Sequence, residues 1–164
     1  MRSNKGLTMS VIKFLYRENL IDTMVFDRQY DAGLTMTIEE KHSLFSKWVI
    51  PVWLSIDGEL AGETYGIPTM HLDDEIEGVS TKSAFEIYCY SNTVLPKFQW
   101  KGFGSILKAH WLGILKQMGA LTVIGHARPG SSLAINKKFG ADLGPVFDDW
   151  YGTGESYTFY RMTL

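Results

Sequence analysis

The chain has 164 residues and a mass of 18.6 kDa, and it is 45% hydrophobic, 13% aromatic and 21% charged. That is enough apolar material for one core in one domain, residues 1–164 with a flexible stretch over 1–10, and too much for a disordered or fibrous chain. A net charge of −2, one cysteine (Cys89), four scattered histidines, no membrane-length apolar run and no signal-peptide core exclude a disulfide framework and a zinc site, and predict a soluble cytoplasmic protein.

Taken in chain order, Val11 to Tyr16 reads as a short apolar strand, and Asn19 to Tyr30 has apolar spacing closer to a helix. Thr37 with Glu40 three residues on signals a helix start, and Leu44, Phe45 and Trp48 supply its apolar face. Pro51 to Ile56, the Asp57-Gly58 turn and Leu60 to Ile67 predict a hairpin. An acidic loop, Leu72 to Lys82, leads to a strand over Ala84 to Val94, which Pro96 ends. Ser105 to Met118 carries the apolar stripe of a helix that Gly119 stops. A strand over Leu121 to Gly125, a turn at Arg128-Pro129-Gly130 and a helix from Ser131 or Ser132 to Phe139 follow. Two aromatic-rich strands, near Val146 to Tyr151 and Tyr157 to Met162, close an α/β (α+β) domain with a largely antiparallel sheet.

The small net charge hides an uneven distribution. Between Glu86 and Asp142 no carboxylate occurs, and that window holds Lys97, Lys101, Lys108, Lys116, Arg128, Lys137 and Lys138. Solvated helix faces explain such a cluster, and so does an anion site. Within it, Val94-Leu95-Pro96-Lys97-Phe98-Gln99-Trp100-Lys101-Gly102-Phe103-Gly104-Ser105 takes a strand through a glycine-containing loop into a helix. Successive loop amides and a helix N-terminus attract phosphate oxygens. The segment has neither the Gly-Lys-Ser/Thr ending of a Walker A loop nor the third glycine of a dinucleotide fingerprint. What is left is Gln-x-x-Gly-x-Gly after Val-x-Pro.

In these residues the sequence resembles the GCN5-related N-acetyltransferase (GNAT) superfamily. The likeness continues in order through the helix Ser105–Met118, the strand Leu121–Gly125 and the ending Lys137-Lys138-Phe139-Gly140-Ala141. The resemblance implies a GNAT fold, a mixed and mostly antiparallel sheet of about seven strands flanked by about four helices. It implies acetyl-CoA as donor, with the pyrophosphate held by backbone groups from Gln99, Trp100, Lys101, Gly102, Phe103 and Gly104 to Ser105. Val94 and Leu95 would pair with the pantetheine arm, and Lys97 or Lys101 would meet the 3′-phosphate or be a solvated loop lysine. Ser131 or Ser132 would contact the pantetheine or simply cap its helix.

Two departures from the family's pattern stand out. Trp100 occupies a position where glycine is common. Asn136 occupies the position of the tyrosine that protonates the departing thiolate, which leaves that role to solvent, Tyr151 or Tyr157. For the base that frees the amine, Glu86 resembles a catalytic glutamate of the histone-acetylating branch, and a dry cleft would raise its pKa. His126 and His71 are the other bases, and Cys89 is a buried apolar residue or an acyl-carrying thiol.

The function implied is direct acetyl transfer to a primary amine on a small molecule, protein or peptide, with no nucleic-acid or membrane partner and a homodimer as the family's habit. The alternative is a catalytically silent module of this fold that binds coenzyme A or a protein. Acceptor pockets fall in Asp22–Trp48, Trp53–Asp74 and Asp148–Tyr157.

Overall fold

The computed structural model describes residues 9–16, 48–73 and 75–164. Seven strands form one mixed sheet: β1 (Ile12–Leu15), β2 (Ile50–Ile56), β3 (Glu59–Pro68), β4 (Glu86–Val94), β5 (Thr122–Ala127), β6 (Asp142–Phe147) and β7 (Tyr157–Thr163). Their spatial order is β1-β2-β3-β4-β5-β7-β6. Neighbours are antiparallel except β4 and β5, which run parallel. This is the expected sheet. Among the described residues there are two α-helices rather than about four, α1 (Phe103–Gln117) and α2 (Ser131–Lys138). The helices expected over 19–30 and after Thr37 lie outside the described residues, and neither α1 nor α2 is long and apolar enough to cross a membrane.

The hairpin forms where Asp57 and Gly58 both take positive φ, which the twist of a two-residue turn requires. That turn also holds β1. The Val11 N–H donates to Asp57 Oδ1 (2.7 Å), and the Asp57 N–H donates to the Val11 carbonyl (2.8 Å).

Three expectations are corrected. β4 starts at Glu86 rather than Ala84. β6 runs from Asp142 to Phe147 rather than from Val146 to Tyr151, and Trp150–Gly152 is one turn of 3-10 helix. As an edge strand pairing only with β7, β6 is mostly exposed, so Leu143-Gly144-Pro145 shows none of the alternation of a half-buried strand. An edge also tolerates Pro145. Finally, Ser131 and Ser132 do not cap α2. Gly130 holds the cap position, and no side-chain hydrogen bond closes it.

α1 packs on β2, β3 and β4 through Leu107, Trp111, Leu112 and Leu115, which bury against Val52, Leu54, Ile87 and Val123. The helix sits low because β3 presents two glycines to it. A Cβ on Gly66 would lie 2.6 Å from the Tyr88 carbonyl and 2.8 Å from the Trp111 ring; one on Gly62 would lie 2.9 Å from the Thr93 carbonyl. The Trp111 indole N–H then reaches the Ile50 carbonyl at 2.9 Å. Gly66→Ala is therefore expected to push β3 and α1 apart and to lower unfolding free energy by about 1–3 kcal/mol, the usual cost of overpacking. Equilibrium denaturation reads this directly, and an unchanged midpoint would contradict the contact.

Candidate functional site

β4 and β5 pair only from Glu86 opposite Thr122 to Cys89 opposite Gly125. Tyr90 is then an extra residue, because Tyr65 on β3 faces Ser91 while Gly66 faces Cys89. Such a bulge bends its strand. Beyond it β4 stays with β3 as far as Val94, and β5 stays with β7 as far as Ala127. A cleft of about 410 Å³ opens between them. One wall is β4 from Cys89 to Val94, and the other holds His126, Arg128, Ser132, Asn136 and Tyr157. Lys108 and Tyr160 lie at its floor, and no carboxylate lines it.

The upper end of the cleft is the glycine loop. The Gln99 side-chain amide donates to the Val94 carbonyl (2.9 Å), and Asn92 Nδ2 donates to the Gly104 carbonyl (3.4 Å), tying β4 to the start of α1. Gly102 precedes α1 at φ 82 with no side-chain cap and no acid in the first turn. The helix thus brings uncapped amides and its positive end to the cleft. Trp100 takes φ 64, a conformation that costs a side-chain-bearing residue about 1–2 kcal/mol and suits glycine, and its indole is 91% exposed at the cleft's edge.

Of the expected donor-binding residues, Val94, Gln99, Trp100, Gly102, Phe103, Gly104, Ser105 and Ser132 line the cleft, as does Ser131. Leu95 and Lys101 do not. The Leu95 side chain is buried in the core, its N–H donates to Ala61 and its carbonyl accepts from Phe98. Lys101 is exposed outside the lining, and Lys97 pairs with Glu59 at 2.7 Å on the surface.

The expected catalytic residues separate. Glu86 is at the opposite end of β4 from the loop and does not line the cleft. Its buried carboxylate accepts from Arg161 (2.6 Å) and from the Thr81 and Thr122 hydroxyls, so it is a structural anchor and no base for this cleft. His71 is also outside, stacked on Trp48 at 4.4 Å, and Trp48 itself is largely exposed. Tyr151 is exposed, and its hydroxyl accepts from the Glu77 N–H. Tyr157, its alternative, lies in the wall, where its oxygen accepts from Arg128 Nε at 2.6 Å. Asn136 is buried there too, with Nδ2 donating to the Ser132 carbonyl.

His126 is in the cleft, stacked on Trp150 at 4.0 Å with Phe147 and Phe159 edge-on. Burial drives its pKa down to about 4, against a smaller opposing pull from the Glu77 carbonyl, which does not reach hydrogen-bond geometry. Burial also keeps the Tyr88 phenol well above its usual range. The Tyr88 hydroxyl and His126 Nδ1 share a hydrogen bond of 2.8 Å, which holds the neutral ring in place.

Sequence reasoning missed Lys108 and Arg128 as parts of the site. The signal for Lys108 was its helical spacing, four residues before Leu112 and three before Trp111, on the buried face. Among the described residues, the buried side-chain polar atoms without a partner are Asn92 Oδ1, His126 Nε2 and Asn136 Oδ1. All three belong to the cleft lining. Folded proteins rarely leave such atoms unpaired, so their gathering in one cleft makes it the candidate site.

No protein-family model and no curated protein sequence matches the chain, but many solved structures do. The ribosomal-protein-S18-alanine N-acetyltransferase from Escherichia coli matches with a TM-score of 0.71 at 15% identity, over 95% of this chain and 94% of that one. A putative acetyltransferase from Salmonella typhimurium, solved with its cofactor acetyl-CoA, gives 0.68 at 13% identity over 94% of each chain. An acetyltransferase of the GNAT family from Streptococcus pneumoniae gives 0.68 at 11% identity over 95% and 99%. At such identities the likeness is one of fold, and the fold is that of the GNAT acetyltransferases.

The low pKa of His126 has a consequence for stability. As pH falls from about 6.5 the unfolded chain binds a proton at this imidazole, while the folded chain does so only near 4. Stability is therefore lost progressively over that window. His126→Gln is expected to flatten the dependence of Tm on pH between 7 and 4.5 (roughly the window of the shift), and equal slopes for parent and variant would contradict the burial.

Proposed function

We propose that the chain is an acetyl-CoA-dependent N-acetyltransferase that moves an acetyl group directly to a primary amine in a ternary complex. The observation that carries this reading is the cleft between β4 and β5, with its three unpaired buried polar atoms, which runs into an uncapped helix N-terminus and holds no carboxylate. These residues fit a coenzyme A thioester. Amides from Gln99 to Ser105 would hold the pyrophosphate, and the edge of β4 from Ser91 to Val94 that β5 leaves would take the amides of the pantetheine arm beside the Gln99 side chain on the Val94 carbonyl. The donor supplies an activated acyl carbon. The acetyl-CoA of the Salmonella neighbour supports the choice of donor, and the Escherichia coli neighbour, named for a ribosomal-protein alanine, supports an amine acceptor.

The chain's own residues then have distinct tasks. Tyr157 accepts a hydrogen bond from Arg128, so its single hydroxyl proton is free to be given into the cleft. It takes the role that Asn136 cannot perform, protonating the departing thiolate. His126 is too weak a base to deprotonate an ammonium. The acceptor enters as its free-amine fraction, oriented by the aromatic wall of Tyr65 and Tyr90. A second reading, a silent module binding coenzyme A, is favoured by Asn136 alone.

Acetyl-CoA at about a hundredfold excess over Kd is expected to stabilise the chain by about 2.7 kcal/mol, or about 5–10 °C in Tm. Thiol release on an amine panel separates enzyme from module: stabilisation without release on any amine supports the module, and no stabilisation removes the donor. Tyr157→Phe is expected to lower kcat roughly a hundredfold. Glu86→Gln is expected to leave kcat within about twofold while costing about 1–3 kcal/mol of stability. The pH profile of kcat/KM should rise toward the amine's own pKa of about 10 with no inflection near 6.5. An inflection there would restore a histidine base.

A further inference from the structure

The floor of the cleft holds a nucleophile that direct transfer to an amine does not use. Lys108 is 0% exposed. Its Nζ donates to Cys89 Sγ (3.5 Å) and to the Tyr160 hydroxyl (3.4 Å), with the Trp111 and Tyr160 rings at 5.2 and 5.5 Å. No carboxylate lines the cleft, so this lysine has no acid to neutralise it there. A solitary buried cation is costly, whereas an amine–thiol pair is neutral overall whether the shared proton rests on nitrogen or on sulfur.

Tyr160 does not supply that proton. Burial first, and then the Cys89 sulfur beside it, push its phenol well above the usual range. The cluster is also built into the sheet. Tyr160 on β7 faces Gly125 on β5, and a Cβ at Gly125 would come within 2.7 Å of the phenol oxygen. Only glycine there lets the ring lie across β5 and reach Lys108. Cys89 is the last residue of β4 paired to β5 before the fork, and it lines the cleft.

We propose that Cys89 is a second acyl acceptor: with no amine in the cleft, its thiol takes the acyl group from the thioester donor and becomes an S-acyl cysteine. This rests on the reading of the cleft as a coenzyme A thioester site. The bond from Cys89 Sγ to the acyl carbon forms as the bond from that carbon to the coenzyme A sulfur breaks. Lys108 holds the proton that leaves Cys89 and returns it to the departing sulfur. One thioester replaces another, so no oxidant, reductant or water is consumed.

The test incubates the full chain with acetyl-CoA and no amine, then reads intact mass and peptide maps, with thermal stabilisation by coenzyme A measured on the same preparation. The expected result is one acetyl group per chain on the Cys89 peptide, removed by neutral hydroxylamine and absent from both Cys89→Ala and Cys89→Ser. Lys108→Met is expected to slow adduct formation about tenfold and to make its rate climb with pH toward the ordinary thiol pKa of about 8.5. A lysine that only fills space would leave that profile unchanged. A chain that coenzyme A stabilises but that gains no acetyl group overturns the proposal and leaves the donor reading intact. A hydroxylamine-stable acetyl on Lys108, or an adduct that persists in the Cys89 variants, overturns it as well. No stabilisation by coenzyme A overturns both.

Discussion

The parallel contact between β4 and β5 lasts for four residue pairs, Glu86 to Cys89 against Thr122 to Gly125, and the site follows from its shortness. Parallel neighbours cannot be joined by a tight turn, so a crossover must leave the end of β4 and return to the start of β5. That crossover is α1, and its N-terminus falls where β4 ends. The bulge at Tyr90 meanwhile turns β4 away from β5. Two strand edges that would have closed the sheet then face each other across a gap, with ladder groups to offer to an extended chain. The helix brings an anion-attracting end to the top of that gap. Gly62 and Gly66 set how deep the helix lies, which fixes the height of the loop above β4.

The electrostatics follow the same geometry. Apart from Tyr65, Tyr157 and Tyr160, every residue lining the cleft comes from positions 89–136, inside the stretch without carboxylates. The acids that bracket the stretch stay out of the lining: Glu86 is tied to Arg161 at the closed end of the fork, and Asp142 begins an edge strand. Features that are unfavourable elsewhere in a fold collect here: three unpaired polar atoms, a buried lysine and a tryptophan at positive φ. Such concentration is the usual mark of a site shaped for a ligand rather than for stability.

Features set by local chemistry were legible from the residues alone. The Asp57-Gly58 turn, the glycine stops of both helices and the strand–loop–helix at Val94 to Ser105 each follow from what two or three adjacent residues permit. What depends on distant pairing was not legible. Glu86 sits on the expected strand, but no local pattern tells which end of that strand opens and which is sealed by Arg161, 75 positions away. Tyr151 and Tyr157 are six residues apart in similar aromatic company; only the αL kink at Asp149 and Tyr151 sends one outward and the other into the wall. β6 was misplaced because an edge strand shows no alternation. The basic window that holds Lys108 fits solvated helix faces and an anion site alike, and only the helical position of Lys108 beside Trp111 and Leu112 marks it as buried.

Strand alternation at the fork also divides the chemistry between two sides of the sheet. Cys89 and Gly125 face the helices, and with Tyr160 and Lys108 they make a buried floor of soft, proton-sharing groups. Their neighbours Tyr88 and Ile124 face the other way, and two residues beyond Ile124 the same face continues through His126 into the aromatic cluster of Trp150 and Phe159. One side thus offers a sulfur and an amine shielded from water, and the other offers a neutral imidazole held by a phenol. A thioester threaded through the gap would meet both at once, its sulfur and acyl carbon above the floor and its acceptor arriving from the aromatic side. The pairing of Tyr88 with Ile124 and of Cys89 with Gly125 keeps these sides from merging, since moving the register by one residue would exchange Tyr88 for Cys89 and put the thiol among the aromatics.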